Sequence, residues 1–156
     1  MKRINSFLVI FMFSSFSISG AKMDINPRMY TRTDIKIELS ALCDKDNVVL
    51  KMEFVNLSKD TIKIPLFLFP SDDKIFFGDW FEITDNNDNL IDYKGVQTDI
   101  DYSSEKVDCL ILKSKQKYVV SISCLGKYYN LMKGVTYSIN YLGPLGESNI
   151  VKFKIK

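Results

Sequence analysis

The sequence has no histidine among its 156 residues. Histidine is the one side chain whose ordinary pKa falls between about pH 5 and 8, so Ser-His-Asp and Cys-His catalysis and HExxH zinc chemistry are all excluded. Carboxylates, lysines and thiols are what remain. Cysteine is scarce as well: Cys43, Cys109 and Cys124 stand far apart, with no CxxC pair and no histidine to complete a ligand set. Neither a metal nor any other cofactor is expected. An excess of one charge is missing too, with 21 Lys and Arg against 19 Asp and Glu. A nucleic-acid surface concentrates basic residues on one face, so nucleic acid is not an expected partner.

Long apolar runs are also absent, since none approaches the roughly 20 residues that a membrane-spanning helix needs. The nearest is Phe7 to Phe16, preceded by Lys2 and Arg3 and broken by Ser14, Ser15, Ser17 and Ser19. With the small residues Ser19-Gly20-Ala21 at its end, residues 1–21 read as a cleavable signal peptide; the rival, a retained anchor, is too short. No cysteine follows the run to carry a lipid. Export is therefore expected, to the periplasm or beyond, with no stable membrane anchor after cleavage. Cleavage removes Lys2 and Arg3 and leaves 19 basic and 19 acidic residues, a formal charge of zero.

What is present is period-2 alternation. Residues 22–33, with Asn26-Pro27, predict a flexible or edge-hugging N-terminal arm. From there Ile35, Ile37, Leu39 and Ala41 share one face, and Val48, Leu50, Met52 and Phe54 repeat the pattern after the polar turn 43–47. Shorter strands are expected over 61–64, 80–83, 90–93 and 107–112, then at 118–125, 135–142 and 150–155. About eight strands at spacings of about 8 to 12 residues predict one all-β domain over 34–156. The polar turn 113–116 makes the 107–112 and 118–125 strands antiparallel neighbours. Between Pro65 and Pro70, the apolar run Leu66 to Phe69 reads either as a buried crossing or as an exposed contact loop.

Leu131, Gly134 and Tyr137 form LxxGxxY ahead of a well-alternating strand, which resembles the tyrosine corner of immunoglobulin-like and fibronectin type III-like Greek-key sandwiches. In that motif the leucine plugs the core, the glycine permits the turn and the tyrosine hydroxyl bonds to the backbone upstream. In such a sandwich the three cysteines lie toward one end. A disulfide involving Cys124 is then expected, with Cys43 and Cys109 competing for it.

Candidate chemistry is thin. Asp99 and Asp101 share a face on an extended segment, as a glycosidase pair would, but 97–105 is polar throughout and reads as a solvated loop. Asp85, Asn87 and Asn89 match the first positions of a calcium loop; Leu90 replaces its glycine, and a hairpin turn fits better. The sequon Asn56-Leu57-Ser58 would accept a glycan only in a eukaryotic secretory pathway. Without histidine nothing activates a thiol, so the chain is not expected to be an enzyme.

Phe81-Glu82-Ile83-Thr84-Asp85, Leu90 to Gly95, Tyr128-Tyr129 and Gly134 to Tyr141 recur in an order and spacing that resembles the N-terminal region of deuterolysin-like metallopeptidases of the peptidyl-Lys type, over residues 48–142. In that family the region is an immunoglobulin-like leader that can hold the zinc peptidase inactive until processing. The catalytic domain is missing here, and Lys113-Ser114-Lys115-Gln116 replaces the usual Pro-Gly turn. The resemblance implies a stand-alone protein-binding domain, an inhibitor of a secreted or periplasmic metallopeptidase. Immunity against a delivered toxin and a structural or adhesive surface role are the alternatives. Segments 66–74 and 94–104 are the candidate contacts, through Leu66, Phe67, Phe69, Asp99, Asp101 and Tyr102, by laying an extra strand across the partner's cleft; the simpler reading of both is an ordinary inter-strand loop.

Overall fold

The structure is a computed structural model that describes residues 26–44, 47–70, 78–95 and 107–156. The chain forms an all-β sandwich whose strands pair antiparallel except for the parallel β1–β4 pair. Strands β1 (Arg28–Met29), β4 (Ile62–Pro65) and β6 (Cys109–Leu112) make a small sheet in the order β1-β4-β6. A second sheet runs β2 (Ile35–Asp44), β3 (Asn47–Asn56), β7 (Lys117–Ile122). The third runs β10 (Val151–Lys154), β8 (Thr136–Gly143), β5 (Phe81–Thr84), with β9 (Gly146–Glu147) folding back on β8. A single helical turn, α1 (Leu125–Tyr128), follows β7.

Alternation becomes burial strand by strand. Along β3 every second residue from Val48 to Asn56 is buried, and Leu50, Met52 and Phe54 are fully so. Each such side chain contributes roughly 1.5–3 kcal/mol on leaving water. Ile62 and Ile64 of β4, Ile83 of β5, Ile122 of β7 and Tyr137, Ile139 and Tyr141 of β8 complete the core between the sheets. On the outer face Glu38 and Glu53 stand directly opposite each other, a repulsive pairing. Lys36 bonds Glu38, while Lys51 and Lys117 both bond Glu53 and hold its carboxyl down to about 2.

The Tyr137 hydroxyl accepts from the Met132 N–H at 2.8 Å, Gly134 turns the chain at φ +80°, and Leu131 packs half-buried against the core. At the opposite end of the sandwich Asn56, fully buried, donates to the carbonyls of Asp60 and Leu112 and accepts from the N–H and hydroxyl of Ser58. The same amide that makes the sequon is therefore committed to the core, and no glycan can be carried there by the folded domain. Of the arm, residues 26–33 hug an edge: β1 pairs in parallel with β4, and the Arg28 guanidinium bonds both oxygens of buried Asp34 at 2.8 Å and Asp60 at 2.9 Å.

Four expectations are corrected. The 107–112 and 118–125 strands are joined by the turn but do not pair; β6 bonds to β4 and β7 to β3, so the connection arches between sheets. Strand β7 stops at Ile122 and Leu125 opens α1 instead, while 90–93 forms isolated bridges at Leu90 and Tyr93 rather than a strand. No disulfide forms, all three cysteines being thiols. Cys43 lies opposite Val48, and the β3–β7 register brings Cys124 level with Val48 from the other side. Two strand spacings separate them, about 10 Å, against the roughly 4.4–6.8 Å between Cα atoms that a disulfide spans. Cys109 sits opposite Pro65 in a different sheet.

Candidate partner-binding surface

The two predicted contact segments divide on inspection. Phe69 is buried, its ring edge-on to Phe54 and to Tyr118, each at 4.9 Å between centroids. Burial of that much apolar surface outweighs exposure for contact, and Phe69 is withdrawn from the candidate surface. Leu66 and Phe67 are half-buried against the core. Asp99, Asp101 and Tyr102 lie outside the described residues.

Residues flanking the segments nonetheless come together. Leu66 N–H donates to the Asp108 carbonyl at 2.9 Å, four residues past the 94–104 segment. Gly78, four residues past the 66–74 segment, and Gly95, at the start of the 94–104 segment, meet at one side chain. The Tyr93 hydroxyl bonds the Gly78 backbone and lies against the Gly95 Cα, closely enough that a Cβ there would collide with the ring.

Around this point stands an aromatic corner. Tyr93 and Tyr129 form an antiparallel bridge, and Lys94 N–H donates to the Tyr128 carbonyl at 2.8 Å. The Tyr93 ring stacks on Tyr128 with centroids 6.1 Å apart and tilts against Tyr129 at 5.5 Å, within the range of favourable aromatic pairs. Tyr129 is buried; its hydroxyl donates to Asp79 Oδ1 at 2.8 Å, with the Phe81 carbonyl 3.3 Å away. Burial, reinforced by the Asp79 carboxylate, pushes the Tyr129 phenol far up, and burial raises Tyr93 as well. Tyr93, Tyr128 and Trp80 are each half-buried, and Asp79 is exposed. Half-buried tyrosine and tryptophan rings supply contact area at low entropic cost.

Sequence reasoning singled out Tyr93, Gly95, Tyr128 and Tyr129 through the family resemblance but missed Asp79 and the role of Trp80. An aromatic two residues from a glycine covers it at Gly78/Trp80, Tyr93/Gly95 and Tyr141/Gly143 but not at Gly126/Tyr128, so the spacing is only a partial signal for Trp80. Asp79 carries no such mark. The calcium reading of Asp85 is settled by its own turn, where its carboxylate accepts from the Asn87 and Asn89 N–H groups and the Asn89 amide. Those bonds lower its pKa. Among the described residues no three His, Cys, Asp or Glu side chains are grouped to hold a metal ion, and no helix is long and apolar enough to cross a membrane.

By fold the chain is an all-β sandwich. A scan against protein-family models finds no match, and a search of curated proteins finds none either. The likeness to deuterolysin leaders rests on the quoted residues alone.

Proposed function

We propose that this chain is an exported, non-enzymatic protein-binding domain that inhibits a secreted or periplasmic metallopeptidase, in the manner of an immunoglobulin-like leader. The observation that carries the reading is the aromatic corner in which the Tyr93 hydroxyl joins Gly78 to Gly95, at the start of the 94–104 segment, next to half-buried Tyr128 and Trp80. Tyr and Trp are enriched among the residues that carry binding energy at protein interfaces, and this corner presents three of them side by side. The lack of histidine supports binding over catalysis.

The mature chain, residues 22–156, is used as bait for the native exported fraction and assayed against a co-encoded metallopeptidase. Capture and inhibition are expected, and Tyr128→Ala should weaken binding at least tenfold with little change in melting temperature. Recovery of no peptidase, together with no inhibition of a co-encoded one, rejects the reading.

A further inference from the structure

The outer face of the third sheet carries a second surface, next to the aromatic corner. Phe81 and Ile83 of β5 and Ile139 and Tyr141 of β8 are buried on the inner face, so the residues alternating with them point outward. Glu82 stands opposite Asn140. One step along, the Leu142 N–H donates to the Trp80 carbonyl at 2.8 Å, which sets Trp80 beside Leu142, and Glu147 of β9 pairs with Leu142 from the other side. Asn149, between β9 and β10, turns away to bond the Leu39 N–H at 2.8 Å and carbonyl at 3.0 Å. Ile150 precedes Val151, the partner of Ile139, and so comes to lie beside Asn140. Leu142 is 45% exposed and Ile150 67%, while Trp80 is half-buried. Three apolar side chains are thus grouped around one amide.

Asn140 is the unusual member. It is 7% exposed, yet among the described residues no hydrogen bond reaches its amide. The side-chain polar atom that is both unpartnered and sealed from water among those residues is the Tyr141 hydroxyl, so the Asn140 amide keeps its tip at the surface. An amide with donor and acceptor both free and little hydration left to lose gains from pairing with a peptide group brought from outside. Charge is one-sided here. Asp79, Glu82 and Glu147 are exposed around the apolar group, and among the described residues none of them is in an ion pair. Lys152 and Lys154 stand farther along β10.

On the reading that this chain binds a metallopeptidase, we infer that the same partner extends from the aromatic corner over this face. The occupant is a surface loop of the peptidase with an apolar side chain for the Trp80, Leu142 and Ile150 group, a backbone peptide for Asn140, and lysine or arginine for the carboxylates. Trp80 belongs to both surfaces, because its ring lies over Gly78, whose backbone the Tyr93 hydroxyl bonds. One partner therefore covers the corner and the face together.

The test is surface plasmon resonance of the mature chain against the peptidase it captures, with light scattering of the chain alone. Leu142→Lys and Ile150→Lys should each weaken binding about tenfold at unchanged melting temperature. Val119→Lys, at a residue 40% exposed on β7, should bind as wild type. Glu82→Lys combined with Glu147→Lys should slow association and flatten its dependence on salt. Ile150→Lys, at the more exposed site, decides if Leu142→Lys is poorly folded. Wild-type affinity in both lysine variants overturns the inference, while a loss in Tyr128→Ala in the same assay leaves the inhibitor reading standing. Wild type that binds no peptidase rejects both. A wild-type dimer that Leu142→Lys dissolves also overturns the inference, since a second copy then occupies the face.

Discussion

At one end of β7, beside Lys117, the sandwich is closed by polar groups: Asn56 makes its bonds to Asp60, Leu112 and Ser58, and Arg28 spans Asp34 and Asp60. At the other end, past Ile122, closure falls to rings, with Tyr93 on Tyr128 and Tyr129 and a single hydroxyl–carboxylate bond to Asp79. The first end consumes its polar groups internally and leaves little for a partner. The second leaves aromatic faces half-buried, which is affordable because a tyrosine ring tolerates water on one side. Stability is concentrated at one end and recognition, on our reading, at the other.

The largest effect is expected at the polar end. Asn56→Ala removes four side-chain bonds and leaves the buried Leu112 carbonyl without its amide donor, so chemical denaturation should show a loss of about 3 kcal/mol. The matching truncation at the aromatic end, Tyr128→Ala, should cost far less in the same assay. Equal losses would erase the distinction between the ends.

A sharper comparison uses one device in two settings. Tyr141 covers Gly143 and Tyr93 covers Gly95, each ring lying where a Cβ would go. Tyr141 is fully buried and held edge-on by Phe54 at 6.2 Å and Phe81 at 5.7 Å, so it has nowhere to move. Gly143→Ala should therefore cost about 2 kcal/mol as overpacking. Tyr93 is half-buried and can swing outward, and Gly95→Ala should cost under about 1 kcal/mol. It should instead reduce partner binding, by displacing the ring that joins Gly78 to the start of the 94–104 segment. Thermal melts of the two variants side by side check the difference.

How much of this was legible in the sequence follows from what each feature depends on. Strands β2, β3, β8 and β10 were readable because alternation is a local consequence of burying one face. The β6–β7 arch was not, because Lys113 to Gln116 is as good a turn between sheets as within one, and the choice lies with the strands that β6 and β7 meet elsewhere. Cys43 and Cys124 share an end, as expected, yet β3 lies between them, a fact of strand order that spacing does not carry. The Leu66 to Phe69 run was ambiguous until Phe54 and Tyr118 supplied Phe69 with neighbours. Asn149 and Asp79 were invisible for the same reason: each is an ordinary polar residue whose partner, Leu39 or Tyr129, is remote in sequence.

The smallest effects separate the ends by pH. The Arg28 guanidinium holds the Asp34 carboxyl well below the usual carboxylate range. A depressed folded pKa means that this stabilisation is complete above the unfolded value near pH 4 and is lost as pH falls below it. Tyr129 is the reverse case, since burial and the Asp79 carboxylate raise its phenol. Its contribution is complete below about pH 10, the unfolded value, and is lost as pH climbs beyond. Acid should thus loosen the polar end first and alkali the aromatic end. Asp34→Asn is expected to flatten the acid limb of the stability profile and Tyr129→Phe the alkaline limb, each by about 1 kcal/mol. Hydrogen exchange at Leu57, whose N–H bonds the Asp34 carbonyl, and at Lys94, whose N–H bonds Tyr128, reports the two ends separately. If both amides respond to the same limb, the ends open as one unit and the division of labour between them fails.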